Sequence, residues 1–498
     1  MRKALLLLGL CAIIVVLSLY NLENYPQTWF DEGVHLLAAG RLAVQGQYSF
    51  GPALGPTVFF PVAAAFNAGG MTLLSARIVM AIYLLLCIAV YAGLVRYIGG
   101  TKVAVVGLLL LLTSPGVGLL TLGRQMLGEV PSLFFFLAAI WLWLAVIRQS
   151  NGGARRTVML LGSGILFGLA VLTKNQLMLW VPAWILMAVV DRFYYKQGKI
   201  MDFVLPLVTA ALCVAAWYLA QRFLHQQGER LIQYNAQEWS NALQRGILTF
   251  SVQRTLSSFK FISSGETFWG LAIPGVLYGM FLSLRRTKEG FAWGLLTIVA
   301  IGWLTWLVLL SVGWERYAFI GLAITSIFIA KFFYDLTDGF SLSWKMIRDK
   351  VSNQEWDGAL IRRIVIITFL IGIIVWPLEG LVQNIFLTND DTPQQIAAYI
   401  AENLPEGGEI ETYEPEICFL AQYRCHLPPS YILDAAIRYV WYGGELPSTY
   451  YDFREYGAPY LLIGTFGSWT HLYEPDKVEA DYDLLHTIGA YRLYQRKA

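Results

Sequence analysis

Asp31 and Glu32 stand side by side in Trp29-Phe30-Asp31-Glu32-Gly33-Val34-His35, shortly after an apolar run that opens the chain. A charged group near hydrocarbon is costly and generally marks function. A carboxylate in such a place can accept a proton from a hydroxyl or serve as a hard oxygen ligand. Three later turns supply further charges: Arg124 and Glu129 in Gly123-Arg124-Gln125-Met126-Leu127-Gly128-Glu129-Val130-Pro131, Lys174 in Leu172-Thr173-Lys174-Asn175-Gln176, and Glu315-Arg316 in Gly313-Trp314-Glu315-Arg316-Tyr317. Lys and Arg are the cations suited to phosphate oxygens. The plainer reading of any one of them is an interfacial anchor at a helix end, and Arg124, His35 and Glu315 fit it individually. Arg77, near the start of an apolar segment, reads as a side chain that snorkels to the interface. Lys174 resists that reading because its flanks are apolar and its turn is short. The Asp31-Glu32 pair resists it too, because adjacent like charges need compensation by cations or water.

The elements that must position these residues are membrane spans. The chain has 498 residues, 57% hydrophobic and only 14% charged, with a net charge of +2. Its mean hydropathy is +0.54. This is a polytopic membrane composition. Met1-Arg2-Lys3 and the apolar run after it imitate a signal peptide, but no small-x-small cleavage site follows, and the run reads as a retained first helix. Eleven segments approach the length needed to cross hydrocarbon: 4–21, 73–95, 103–121, 129–147, 157–173, 177–190, 203–221, 267–284, 291–312, 317–334 and 364–384. With the N-terminus inside, alternate loops carry Arg96 and Lys102, then Arg148, Arg155 and Arg156, then Arg192, Lys196 and Lys199, then Arg285, Arg286 and Lys288, and last Lys345, Arg348, Lys350, Arg362 and Arg363. Cytoplasmic loops are the basic ones. This orientation puts Asp31, Glu32, Glu129, Lys174 and Arg316 on one outer face.

Two outer stretches exceed a simple connection. In 22–72, Asp31 to Leu42 predicts a helix with Val34, Leu36, Leu37, Ala38 and Leu42 on one face, and Thr57 to Phe66 a second; both would lie along the membrane surface. The stretch 222–266 is polar, with one lateral helix expected. The division expected is therefore a membrane domain over 1–384 and an extracytoplasmic α/β domain over 385–498. In the latter, Thr392 to Leu404 reads as an amphipathic helix, Glu409 to Tyr413 and Ala458 to Gly464 as strands, and Leu484 to Gln495 as a hairpin. Cys11, Cys87 and Cys213 fall in apolar spans and read as small core residues. Cys418 and Cys425 fall in the outer region, where the spacing is equally consistent with free thiols and with a disulfide. There is no Walker loop, His-Glu-x-x-His motif or glycine-rich dinucleotide turn, and nothing suggests nucleic-acid binding.

Taken together, these pieces resemble GT-C type glycosyltransferases of the group containing protein O-mannosyltransferases and lipid A aminoarabinose transferases. The resemblance rests on Asp31-Glu32, Ser75-Ala76-Arg77, the Leu-Gly-Glu-Val-Pro segment around Glu129, Leu172-Thr173-Lys174, and Glu315-Arg316-Tyr317. It implies a plasma (inner) membrane enzyme that takes a sugar from a polyprenyl-phosphate donor, not a nucleotide sugar, and transfers it with inversion to a lipid, glycan or protein acceptor. Asp31 would then be the base or acceptor-orienting group, with Glu32 and Glu129 shaping the site. Lys174 and Arg316, with Tyr317, would bind the donor phosphate, and His35, Arg77 and Arg124 would be candidate substrate-site residues. Asp31, Glu32 and Glu129 could also supply ligands to a divalent cation, and the residue types do not decide whether one is used. In one place the pattern departs: where aminoarabinose transferases carry a Lys-Pro element, this chain reads Gly55-Pro56-Thr57, so that phosphate contact is missing, which argues against an aminoarabinose donor.

The rival class is a lipid or glycan transporter without covalent chemistry. Transporters commonly show paired internal repeats and polar groups at the midplane; this chain shows no repeat, and its charges favour one face. An assembly protein whose outer domain binds partners would leave the clustered charges unexplained.

Overall fold

The computed structural model describes residues 2–48, 54–148, 153–224, 248–342, 348, 358–388, 391–429, 431–443 and 451–497. Residues 225–247 of the 222–266 stretch fall outside them, as do Lys345 and Lys350; the described residues of that stretch include one helix, Val252–Ile262. The protein is a multi-pass membrane protein. Eight described helices are long and apolar enough to cross a bilayer, and three shorter apolar helices, Leu8–Leu19, Thr101–Thr113 and Ala272–Ser283, fall in the remaining expected segments.

The chain divides into two compact units. One comprises 82–123 and 128–383 and is all helical. Its helix Glu129–Arg148 packs against Ala154–Thr173, which packs against Ile200–Leu224. Small residues allow this closeness, which in lipid replaces the hydrophobic drive between helices. Gly164 sits against the backbone of Pro206, where a β-carbon would lie 2.6 Å from the carbonyl oxygen. Ser163 donates to the Ala139 carbonyl at 3.0 Å. In the span Glu315–Leu336 every residue from Ala318 to Ala330 is buried, whereas Gly358–Phe386 buries few residues and presents its apolar surface outward, as a peripheral lipid-facing helix does.

The other unit comprises 1–81, 124–127 and 384–498. It contains α1 (Arg2–Leu19), α2 (Phe30–Gln45), α3 (Pro56–Gly69) and the start of α4 (Leu73–Gly99). The expected helices of the 22–72 stretch are thus α2 and α3. Leu36, Ala38 and Ala39 of α2 are buried against Val58, Phe59 and Val62 of α3. Val34, expected on the same face, is exposed instead.

The C-terminal part of this unit carries a five-stranded mixed sheet in the order β2-β1-β3-β5-β4, from β1 (Ile410–Thr412), β2 (Cys425–His426), β3 (Tyr460–Ile463), β4 (Tyr482–Ile488) and β5 (Tyr491–Arg496). β1 runs parallel to β2 and β3, and the β4–β5 hairpin is antiparallel. The amphipathic helix Thr392–Asn403 packs Ile396, Ala397 and Ile400 into a core with Ile410, Leu462 and Leu493. The two-residue β2 carries no alternating apolar pattern, so its sequence gives no strand signal. Cys418 and Cys425 form a disulfide with their Cα atoms 5.9 Å apart.

Candidate active site

In the mixed unit, Asp31 and Glu32 occupy the first turn of α2. Acids are favoured there, because the free N–H groups and dipole of a helix N-terminus attract negative charge. The two side chains have different surroundings. Glu32 is wholly buried and takes both oxygens to Arg77, from Nε at 2.9 Å and Nη2 at 2.6 Å. The Met126 N–H also donates to Glu32 Oε1 at 3.0 Å. Arg77 completes its bonding at the Leu22 carbonyl, 2.6 Å, and the Thr28 hydroxyl, 3.1 Å. It is fully buried rather than extended to an interface, because this network satisfies its fork of donors. Asp31, by contrast, is half-buried.

Residues 124–127 are tied down by the same neighbourhood. Arg124 donates to the carbonyls of Leu17, at 2.9 Å, and Tyr20, which are carbonyls that the end of α1 leaves without helical partners. Gln125 reaches the Gln27 carbonyl at 3.0 Å. His35 Nδ1 lies 2.9 Å from the Met126 carbonyl, so the imidazole donates from that nitrogen. Arg124 and His35 therefore hold backbone in place, and Glu32 and Arg77 form the salt bridge that the segment surrounds.

In the helical unit a second cluster forms from the ends of three spans. Glu129 begins the helix Glu129–Arg148, Lys174 follows the last residue of Ala154–Thr173, and Arg316 lies in the turn before Phe319–Leu336. An acid at a helix N-terminus and a base at a helix C-terminus both suit the dipole. Lys174 Nζ forms an ion pair with Glu129 Oε1, and Arg316 Nε lies 3.8 Å from the same oxygen. Glu129 Oε2 is buried and accepts no hydrogen bond among the described residues. Tyr317 faces Lys174 at 5.5 Å from its ring centroid, and Arg316 lies 5.1 Å from the Trp314 centroid. The Tyr317 carbonyl is fixed by Trp303 Nε1 at 2.6 Å. The cluster thus has two cations around one carboxylate, walled by aromatic rings.

Among the described residues no three His, Cys, Asp or Glu side chains lie close enough to share a metal ion. Glu32 has both oxygens on Arg77, and Glu129 has Oε1 on Lys174.

Several polar residues of the mixed unit are buried that the sequence did not single out. Glu411 is buried and bonded by His426, by the Tyr451 hydroxyl at 2.8 Å and by that of Tyr473 at 3.3 Å. Glu414 accepts the Gly467 N–H at 2.8 Å, and Glu416 accepts the Tyr491 hydroxyl at 3.2 Å. Burial raises Glu414 to about 7, and burial together with the charge of Glu414 raises Glu416 well above the usual carboxylate range. The Glu414-Pro415-Glu416 spelling was the available sign, since it opens a short apolar helix, Pro415–Ala421.

Comparison with known proteins bears on this arrangement. Residues 53–220 match the family model described as dolichyl-phosphate-mannose-protein mannosyltransferase. No curated protein matches the sequence. Over its whole length the chain is similar in structure to ArnT from Cupriavidus metallidurans bound to undecaprenyl phosphate, at 13% identity and a TM-score of 0.67, covering 100% of this chain and 98% of that one. It is also similar to the oligosaccharyltransferase AglB from Archaeoglobus fulgidus in complex with an inhibitory peptide and a dolichol-phosphate, at 15% identity and a TM-score of 0.59, covering 98% of this chain and 74% of that one. The chain therefore has the GT-C fold, as its sequence leads one to expect.

Proposed function

We propose that the protein is a glycosyltransferase that moves a sugar from a polyprenyl-phosphate donor to an acceptor on the outer face of the plasma membrane. The observation that carries this reading is the Glu129–Lys174–Arg316 cluster, with Glu129 and Lys174 buried and Arg316 half-buried, a pair of cations at the ends of separate spans in a chain of GT-C fold. The matched family is named for a lipid-phosphate-linked sugar, and both structural relatives hold a polyprenyl phosphate. The Cys418–Cys425 disulfide supports an extracytoplasmic C-terminal region, since disulfides persist in oxidising compartments.

The chemistry asks little of a general acid, because the phosphate is a fair leaving group. The acceptor hydroxyl attacks the anomeric carbon while Asp31 takes its proton, forming one C–O bond as the bond to the phosphate oxygen breaks. Lys174 and Arg316 stabilise the negative charge that gathers on the departing polyprenyl phosphate. Tyr317 walls the cations, and Glu129 holds them through Oε1 while Oε2 accepts from a sugar hydroxyl. Glu32, engaged by Arg77, sets the helix turn on which Asp31 stands. Direct displacement inverts the anomeric centre.

The test is transfer by the purified protein from a panel of polyprenyl-phosphate sugars. Release of polyprenyl phosphate with at least one of them supports the reading. No release or transfer with any of them, alongside transbilayer movement of an intact lipid-linked sugar in vesicles, would favour the transporter.

A further inference from the structure

Asp31 stands on a turn that is gripped from both sides, and one of the grips belongs to the C-terminal region. Phe30, the residue before it, stacks on Phe466 with ring centroids 3.7 Å apart and meets Tyr413 edge-on at 5.2 Å. Its ring belongs to a buried cluster with Ile432, Leu461 and Leu472. Gly33 lies three residues on, along the same face of α2. Its Cα approaches the backbone of the helix Pro415–Ala421 so closely that a β-carbon would lie 2.2 Å from the Glu416 nitrogen and 2.6 Å from its Cα. Only glycine fits there without moving a backbone. The Glu414 carboxyl joins the two contacts, since it stands between Tyr413 and Pro415 and accepts the N–H of Gly467, the residue after Phe466.

The other grip is the Arg77–Glu32 pair. At about 100° per residue, Glu32 projects roughly 200° around the helix from Phe30, with Asp31 between them. Phe30 and Gly33 held on one side and Glu32 on the other prevent the turn from rotating about its axis. The direction of the Asp31 carboxylate is then set jointly by Arg77 and by the C-terminal region.

We propose that the C-terminal region is a positioning element for Asp31, with Phe466 and Tyr413 as positioning residues acting through Phe30, and the Pro415–Glu416 backbone acting through Gly33. This rests on Asp31 as the proton acceptor. Reactions that depend on orientation are sensitive to displacements of about 1 Å, which can cost on the order of a hundredfold in rate.

The experiment compares wild type, Phe466→Ala, Phe466→Tyr, Phe30→Leu, Asp31→Asn and Ile400→Val in the full-length protein. Ile400 is a buried core residue of the same unit outside this cluster, so it reports general loosening. Steady-state transfer gives kcat and KM, and direct binding of polyprenyl phosphate gives donor affinity. Phe466→Ala is expected to lower kcat by about ten- to a hundredfold with donor affinity within about twofold of wild type. Phe466→Tyr should restore most of the loss, Phe30→Leu should behave like Phe466→Ala, and Ile400→Val should stay near wild type. If Asp31→Asn is inactive while folded Phe466→Ala and Phe30→Leu keep wild-type kcat, the positioning role is wrong and the base survives. A kcat loss in Ile400→Val equal to that in Phe466→Ala reduces the effect to stability and overturns the proposal. Wild-type turnover by Asp31→Asn removes the base, and the positioning role with it. If Phe466→Ala does not fold, Phe30→Leu decides alone.

Discussion

Glu32 binds Arg77 through both carboxylate oxygens, at 2.9 and 2.6 Å, and neither side chain is exposed to solvent. Of the two adjacent acids, then, one is bound into a salt bridge within the protein and the other, Asp31, is half-buried one residue away. Removing one partner of a buried ion pair leaves an uncompensated charge, a loss of about 3–5 kcal/mol. Arg77→Met and Glu32→Leu should each lower the thermal midpoint of the detergent-solubilised protein sharply. The double variant should recover much of that loss. If the double variant is as unstable as the sum of the two single variants, the pair does not act as a unit.

Lys174→Ala removes one of the two cations beside Glu129 and leaves that buried carboxylate with Arg316 at 3.8 Å. A charge-assisted hydrogen bond contributes about 1.5–3 kcal/mol, so polyprenyl-phosphate affinity should fall by roughly ten- to a hundredfold. Lys174→Arg should lose less. Calorimetric or fluorescence titration with polyprenyl phosphate measures this, with circular dichroism to establish that the helices are retained.

The Glu414 and Glu416 carboxyls give a dependence of stability on pH. Both are raised, so between the ordinary carboxylate value and their folded values the folded chain holds protons that the unfolded chain releases. Stability contributed in this way is full below the unfolded value and is lost as pH rises through about 7, the folded value of Glu414, and beyond it for Glu416. Thermal midpoints should therefore decline from pH 5 to pH 8 more steeply in wild type than in Glu416→Gln, which mimics the protonated form. Parallel curves would show that the pair does not hold the proton.

Reduction of Cys418–Cys425 opens a short loop whose closure removes about 2–3 kcal/mol worth of unfolded-chain entropy. Cys418→Ser with Cys425→Ser should lower stability by about that amount. Cys418 lies in the helix whose first residues meet Gly33, so kcat should fall alongside. The comparison is of unfolding and transfer rate with and without reductant in wild type, set against the double variant, which should be insensitive to it.

Particular residues show how far the sequence carried the reading. The α2 and α3 helices, the helix after Asp391 and the terminal hairpin were legible because each has a regular apolar period and a local start or stop signal. Lys174 and Glu129 stood out because a charge on apolar flanks is rare. Their pairing was not legible, because it joins residues 45 positions apart and no local pattern records it. The same holds for Arg77 and Glu32, where an Arg at the start of a span looks identical whether it snorkels or is buried. Gly33 carries no local signal of its role, and the backbone of Pro415 and Glu416 against it explains the residue. The burial of Glu411, Glu414 and Glu416 was not legible, since burial of a polar side chain depends on neighbours that come from distant strands and helices.

In the proposed reaction Asp31 takes the acceptor proton in a displacement at the anomeric carbon. Its most direct measurement is the single-turnover rate of sugar transfer by wild type and by Asp31→Asn, at saturating polyprenyl-phosphate sugar and with donor affinity measured in parallel. Loss of a general base is expected to slow transfer by about 10²- to 10⁴-fold. That loss is expected at unchanged donor affinity, with wild-type product formed in the inverted configuration. An Asp31→Asn protein that binds donor and transfers sugar at the wild-type rate, or a wild-type product of retained configuration, would contradict it.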